Sequence, residues 1–397
     1  MSFNIATSGL NAITEQLNAI SNNIANSNTT GYKSMRAEFA ALYAGSTPLG
    51  VGVSNVSQSI SSGGNISATG RSLDLAINGN GFFVVRDTNG STTYTRAGYF
   101  GKDANGFLVN NLGGKLQGYP IDAEGKLQTG TVSDLQINAA GLPAKSTSSV
   151  EFVANLDARE EAKPATPAFD PENKETFNKS YTTQVFDSLG REHTVTQYFV
   201  KTDDNKWTAH YVVDGDKTGA TTAEMQFDTN GVLIAPTEPV TVTGAIPGAK
   251  DLEIKFSYSG CSQYGSDFAV SKNKSDGYKS GEQTGQQIDE DGMVYATYSN
   301  GQRLLQGQLV LANFTNADGL KSIDGTAWEQ TNSSGNPLLG TPKSGMYGLI
   351  KSAALESSNV NLTAELVELM STQRNYQANT KVISTNDQMM NALFQAI

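Results

Sequence analysis

Cysteine and histidine are almost missing from this 397-residue chain: Cys261 is the single thiol, and His193 and His210 are the two imidazoles. One thiol excludes an internal disulfide framework, and so small a His/Cys set offers no cluster at metal-ligand spacing. The expectation is a fold that stands on packing, with no metal and no cofactor. Charge is sparse as well, at 17% of residues, with 28 basic side chains against 39 acidic ones and a net charge of -11. No basic run is available to meet phosphates, so nucleic acid is not an expected partner, and an anionic lipid surface is disfavoured for the same reason. Long apolar runs are absent too. No stretch approaches the roughly 18 residues of a membrane helix, and MSFNIATSGL has neither the basic n-region nor the apolar core of a cleavable signal peptide. The chain is therefore expected not to insert into a membrane, and to leave the cytoplasm, if it does, without such a signal.

Catalytic patterns are equally thin. Gly79 and Gly81 precede Phe82-Phe83, but the third glycine of a dinucleotide loop is missing and a strand pattern follows where a helix should. Lys33-Ser34 lacks the glycines of a phosphate loop. Both histidines sit in alternating strand patterns without a nucleophile elbow, which suits polar sheet positions better than a base. Cys261, in FSYSGCSQYGSDF, reads as a packed or surface thiol. The reading is a protein that is not an enzyme.

What is present is glycine, tyrosine and phenylalanine, 40, 15 and 16 of them, in a chain long enough for more than one core. The two ends differ from the middle. Phe3, Ala6, Leu10, Ile13, Leu17, Ile20 and Ile24 recur at spacings of three and four, an a/d heptad seam on an otherwise polar helix. Near the other end, steps of seven give Leu362, Leu369, Tyr376, Ile383, Met390 and Ile397, while the companion series Leu366, Gln373, Thr380, Asp387 and Phe394 is polar at its centre. Asn361 or Thr363 would cap that helix, with Glu365 in its first turn. Narrow apolar lines want helical partners: either the two ends pair within one chain, or they order on packing against other copies. Between them lie alternating strands punctuated by Asn89-Gly90, Asn105-Gly106, Asn230-Gly231, Asp291-Gly292 and Asn300-Gly301, which are hairpin turns.

The expected fold class is mainly β with α-helical termini: two β domains, the second inserted in the first, plus a paired-helix terminal domain. Its boundaries are 1–28 and 358–397 for the helices, 29–70 for a linker region, 71–144 and 284–357 for the first β domain, and 145–283 for the inserted outer domain. AREEAKPATPAFDPENKE would be an exposed excursion of that outer domain.

The stretch SNNIANSNTTGYKS then carries a resemblance. Asn22, Asn23, Ile24, Ala25, Asn26, Thr30, Gly31, Tyr32 and Lys33 match the N-terminal signature of the bacterial flagellar rod and hook protein family. GRSLDLAINGNGFFVV with YTRAGYF, LVNNLGGKLQGYP, and ALESSNVNLTAELVELMSTQRNYQANTKVISTNDQMM extend the likeness over both ends and the outer β region. The inserted segment and LLQGQLVLANFTNADGL resemble the hook members rather than the shorter rod members. The resemblance implies an extracellular polymer of many copies in a curved, torque-transmitting tube. It also implies export by the flagellar type III apparatus, and neighbours that include rod proteins, hook–filament junction proteins and a hook cap. Phe39 and Tyr43 resemble an export-gate motif, the alternative being ordinary packing of a linker turn. The helix seams would make assembly contacts, the polar line Gln373, Thr380 and Asp387 would keep them wet enough to slide, and the Asn-rich run would end the first helix and open a linker. A distal rod or hook-associated subunit is the near alternative. A secreted β-rich carbohydrate-binding or hydrolytic protein is the alternative of a different class.

Overall fold

The computed structural model describes residues 2–44, 47–122 and 124–395. It is mainly β with one long helix near each end, α1 (Ser2–Ala25) and α2 (Leu362–Gln395). The chain forms two compact units. The first runs to Ala139 and also takes in Gly285–Thr297 and the chain from Arg303 onward; the second comprises Ala140–Thr284 with Tyr298–Gln302. Both helices belong to the first unit, and the second unit's sequence interrupts it.

In the first unit, antiparallel strands bury Phe82, Val84, Tyr94, Val310, Phe314 and Trp328. Phe82 meets Trp328 edge-on at 5.6 Å and Tyr94 meets Phe314 at 4.8 Å, the geometry aromatic quadrupoles favour. Two short pairings bring the far ends of the sequence together. Leu349–Ser352 pairs with Leu75–Asn78, and Ala354–Glu356 pairs with Ile66–Ala68. Where a linker was expected, the chain forms a long hairpin of β1 (Met35–Ala44) and β2 (Thr47–Gln58), with bulges after Glu38 and Leu42. Phe39, Leu42, Tyr43, Leu49, Val53 and Val56 all stay exposed on it.

The second unit is two five-stranded sheets face to face. One is the meander Lys179–Phe186, Glu192–Asp203, Lys206–Val213, Asp216–Phe227 and Leu233–Ala235; the other centres on Ser149–Asp157. Phe152, Phe199, Trp207, Tyr211 and Phe256 fill the space between. Cys261 lies in this core, its Sγ donating to the Phe152 carbonyl at 3.4 Å, and burial pushes its pKa up to about 11. The loop expected to be an exposed excursion is tied down at several points: Lys201 Nζ donates to the Ala158 and Glu160 carbonyls at 2.8 and 2.9 Å, the Lys163 amide donates to the Lys201 carbonyl at 2.8 Å, and Phe169 stacks on His210 with ring centroids 4.0 Å apart.

Candidate functional site

The two helices meet antiparallel in the first unit. Gln16 Nε2 donates to Glu368 Oε1 at 2.7 Å and Asn23 Nδ2 to Glu365 Oε1 at 3.0 Å, while Gly9 lies against Asn379. Asn361 caps α2, its Oδ1 accepting from the Ala364 amide at 3.2 Å. The heptad spacing of α1 is present, but the line most deeply buried is shifted by one position. Ala6, Gly9, Ala12, Ala19, Ile20 and Asn23 are buried; Leu10, Ile13, Leu17 and Ile24 are half-buried, and Phe3 is exposed. The reason is a second neighbour. α1 packs against the hairpin as well as α2, with Ser8 Oγ accepting from the Val51 amide at 3.3 Å, and small side chains let both approach closely. A Cβ on Gly9 would sit 3.1 Å from the Asn379 amide nitrogen.

On α2, Leu369 and Ile383 are half-buried, whereas Leu362, Tyr376 and Met390 are exposed; Ile397 lies outside the described residues. The expected polar companion line is not the one that meets α1. Gln373, Thr380 and Asp387 are all exposed, and the polar half of the helix contact is Glu365, Thr372, Asn379 and Asn386, of which Thr372 is buried. Both series keep heptad spacing, one on each flank of the Leu369–Ile383 line, and α1 approaches from the second flank. An apolar set then remains uncovered: Leu366, Val367, Met370, Val382 and Met389 are exposed.

The Asn-rich run ends α1 as expected. Asn26 Nδ2 donates to the Asn22 carbonyl at 2.9 Å and Asn26 Oδ1 accepts from Thr29 Oγ1 at 3.0 Å, side chains finishing what the helix backbone leaves open. Asn22 itself is exposed. The run does not then open a free linker; it folds back onto the first unit. Thr30 Oγ1 donates to the Tyr99 hydroxyl at 2.7 Å. Gly31 turns with φ +72, where a Cβ would stand 2.6 Å from the Ala97 nitrogen, and its amide donates to the Glu356 carbonyl at 2.8 Å. Asn23 is a buried hub: its Oδ1 accepts from the Met35 amide at 2.7 Å and from the Tyr32 hydroxyl at 3.2 Å, and its Nδ2 also reaches the Met35 carbonyl at 2.8 Å. Burial, with the Glu365 charge adding to it, pushes the Tyr32 phenol up to about 12.

Lys33 closes the arrangement. Its Nζ lies 2.6 Å from Glu356 Oε1 and 2.7 Å from the Ser62 carbonyl, with both charged side chains essentially inaccessible, 0% and 1% exposed. Arg96 Nη1 takes the other Glu356 oxygen at 3.1 Å, and its Nη2 donates to the Gly79 carbonyl at 2.9 Å. The Gly64 amide is a third donor to this carboxylate, reaching Oε1 at 2.9 Å. Two cations share one carboxylate out of water. Burial lowers the Lys33 pKa below its ordinary value, with Glu356 opposing, and it lowers that of Arg96 in the same way. Beside this clasp, Asn359 Oδ1 accepts from the Ser34 amide at 2.8 Å and its Nδ2 reaches the Ser59 and Ser62 carbonyls, each at 3.1 Å. Lys33, Arg96, and Glu356 with Asn359 come from three of the stretches that carried the resemblance, GYK, YTRAGYF and ALESSNV. The sequence marked Lys33, and Asn359 within Ser358-Asn359-Val360, but not Arg96 or Glu356; each of these is a single charge at or just past the end of a short strand. Phe39 and Tyr43, both exposed, stand on β1 and pair with Val53 and Pro48 of β2.

This architecture, helical ends paired and clasped to a β unit that a second β unit interrupts, is that of the flagellar axial proteins. Family models cover it region by region. Residues 3–33 match the flagellar basal body rod protein, 76–145 the flagellar hook protein FlgE/F/G D1 domain, 155–278 the flagellar basal body protein FlaE D2 domain, and 351–396 the flagellar basal body rod FlgEFG protein C-terminal region. Relatives span the whole chain: the flagellar hook protein FlgE of Salmonella typhimurium is 42% identical with 99% of each chain covered, that of Escherichia coli 40% with the same coverage, and that of Borreliella burgdorferi 31% with 97%. The crystal structure of the Helicobacter pylori flagellar hook protein FlgE2 shares the fold, with a TM-score of 0.56 over 73% of this chain and 100% of that one at 16% identity. The chain belongs to the flagellar hook protein FlgE family.

Proposed function

We propose that the chain is a structural subunit of the flagellar hook, polymerising head to tail through its terminal helices into a curved, flexible tube that carries torque from rod to filament. The observation that supports assembly is the apolar surface of α2 that α1 leaves uncovered. Leu366, Val367 and Met370 on one face, and Val382 and Met389 on an adjoining one, remain exposed after α1 has paired, and apolar surface of that extent is buried favourably against another molecule. A contact in which α2 of one copy meets a different surface of the next does not close on itself, and so propagates a helix. The exposed line Gln373, Thr380 and Asp387 would then lie on a polar flank of that contact, where wet interactions tolerate the sliding that bending demands. Rod proteins, junction proteins and a cap at the ends of the tube follow from the same reading. So does export through the flagellar type III apparatus without a cleaved signal, with Phe39 and Tyr43 as its recognition pair.

Negative-stain electron microscopy of the purified chain in a kosmotropic salt, which strengthens apolar burial, tests the reading. Tubes from the unmodified chain, and monomers from Met370→Glu and Val382→Glu variants with unchanged circular dichroism, are the expected result. Tubes that persist in both variants would overturn the role assigned to this face of α2. For export, Phe39→Ala with Tyr43→Ala should reduce secretion while leaving the fold intact, because neither side chain supports the core.

A further inference from the structure

His193 stands at one end of the meander sheet in the second unit, between the turns that enter and leave two of its hairpins. Its Nδ1 lies 2.6 Å from Asp214 Oδ2 and its Nε2 lies 3.3 Å from Asp187 Oδ2. The two carboxylates are fixed independently of the ring. Asp187 is fully buried and accepts from the Leu189 amide at 2.9 Å, the Arg191 amide at 2.8 Å and Arg191 Nε at 2.7 Å. Asp214, in a turn with φ +48, accepts from the Thr194 amide at 2.8 Å. A neutral imidazole has one N–H and one lone pair, so one ring nitrogen would face a carboxylate oxygen with no proton between them. Only the imidazolium satisfies both contacts.

We propose that His193 is a pH-operated staple of the second unit: as the imidazolium it ties the Asp187 turn to the Asp214 turn, and on losing a proton it releases one of them. The proposal concerns the second unit alone and is independent of what the chain assembles into. The remaining charges around the ring are Arg191, which already pairs with Asp187, and Asp216, Lys250, Asp251 and Glu253, which share its cleft. Acidic groups are the majority there and favour the charged ring. Desolvation opposes it, but hydrogen bonds to Asp214 and Asp187 win, raising the His193 pKa above its ordinary 6.5. The sign follows. A base whose folded pKa is raised stabilises fully below 6.5, and that contribution is lost as pH rises through the folded value. His210, stacked on Phe169, has its pKa lowered by burial, a shift opposite to that of His193, and serves as an internal reference.

With two imidazoles in the chain, a nitrogen-detected NMR titration of the full-length protein assigns both by comparison with His193→Gln. The expected result is a His193 midpoint above 6.5, with amide-exchange protection at Thr194 and Asp214 falling about tenfold across it, after correction for intrinsic rates. In His193→Gln that step should vanish. A midpoint at or below the ordinary value, or the same step in the variant, would overturn the proposal. Should His193→Gln fail to fold, Asp214→Asn carries the test: the midpoint must move down and the protection step disappear, and an unmoved midpoint refutes the staple.

Discussion

Glu356→Gln is the most informative single substitution in the first unit, because it removes the one carboxylate that two buried cations share. The Gln amide oxygen still accepts from one of the two, but no counter-charge remains; beyond it Lys33 Nζ has the Ser62 carbonyl, and Arg96 the Gly79 carbonyl and the ring of Phe82, 5.3 Å from its guanidinium carbon. Stranding one charge by removing its buried partner costs about 3–5 kcal/mol; with two cations left together, the upper end of that range, about 5 kcal/mol, is expected. Lys33→Met should cost less, about 1–3 kcal/mol. It leaves Glu356 paired with Arg96 and accepting from the Gly64 amide, while the Ser62 carbonyl keeps Asn359 as donor. The double variant should then be more stable than Glu356→Gln alone, since it strands one cation instead of two. The two tryptophans make the measurement local, because Trp328 is buried in the first unit and Trp207 in the second. In a Trp207→Phe background, urea melts followed by fluorescence read the first unit. With a slope of roughly 3 kcal/mol per molar, the Glu356→Gln midpoint should fall by about 1.5 M. A loss for Glu356→Gln no larger than for Lys33→Met, or a double variant less stable than either single one, would refute the clasp as the source of the effect.

Gly9→Leu should separate α1 from α2 by forcing a side chain into Asn379, with loss of helical circular dichroism and of tube formation; full helicity would show that the pair relaxes around it. Burial alone pushes the Asp276 carboxyl up, but donors from Ser149, Ser148 and Lys145 outweigh it and bring the pKa from 3.8 down to about 2. Its stabilisation is therefore complete above pH 3.8 and lost as pH falls through about 2. The difference in Trp207 melting between the wild type and Asp276→Asn should be constant from neutral pH downward and close in that acid window. Glu365 goes the other way, raised by burial with Glu368 adding to it, so its ionisation weighs against the fold as pH rises through and beyond 4.5. Glu365→Gln keeps the acceptor for Asn23 and should match the wild type in acid and equal or exceed it at neutral pH. A loss at neutral pH would mean that the helix-dipole benefit of a first-turn carboxylate is the larger effect.

The periodicities that depend only on local backbone geometry were legible before any coordinates. Both helices follow from heptad spacing, the Asn361 cap from its residue type, and the turns from their Asn-Gly and Asp-Gly pairs. The flank of each helix that is buried was not. Spacing alone gives two equivalent flanks beside Leu369 and Ile383, and the choice of Thr372 and Asn379 over Gln373 and Thr380 depends on where α1 approaches. The hairpin was missed because Phe39, Leu42, Tyr43, Val53 and Val56 are exposed, so burial left no alternating signature to contrast with a linker. The clasp was half legible. Lys33 stood out as the first cation after a long polar run, but Glu356 ends a three-residue strand and Arg96 follows another, places where one charged residue looks like an ordinary surface position.

The clasp also bears on the order in which the chain can be completed. Lys33 and Glu356 are separated by 323 positions, and Asn23 and Glu365 by 342, so the contacts that seat the start of the protein are made by residues near its end. Closing such distant contacts is slow compared with forming local hairpins. A copy cut short before Glu356 would lack the counter-ion of Lys33 and Arg96, the strand that pairs with Ile66–Ala68 and the whole of α2. Such a fragment lacks the partners that seat its own beginning.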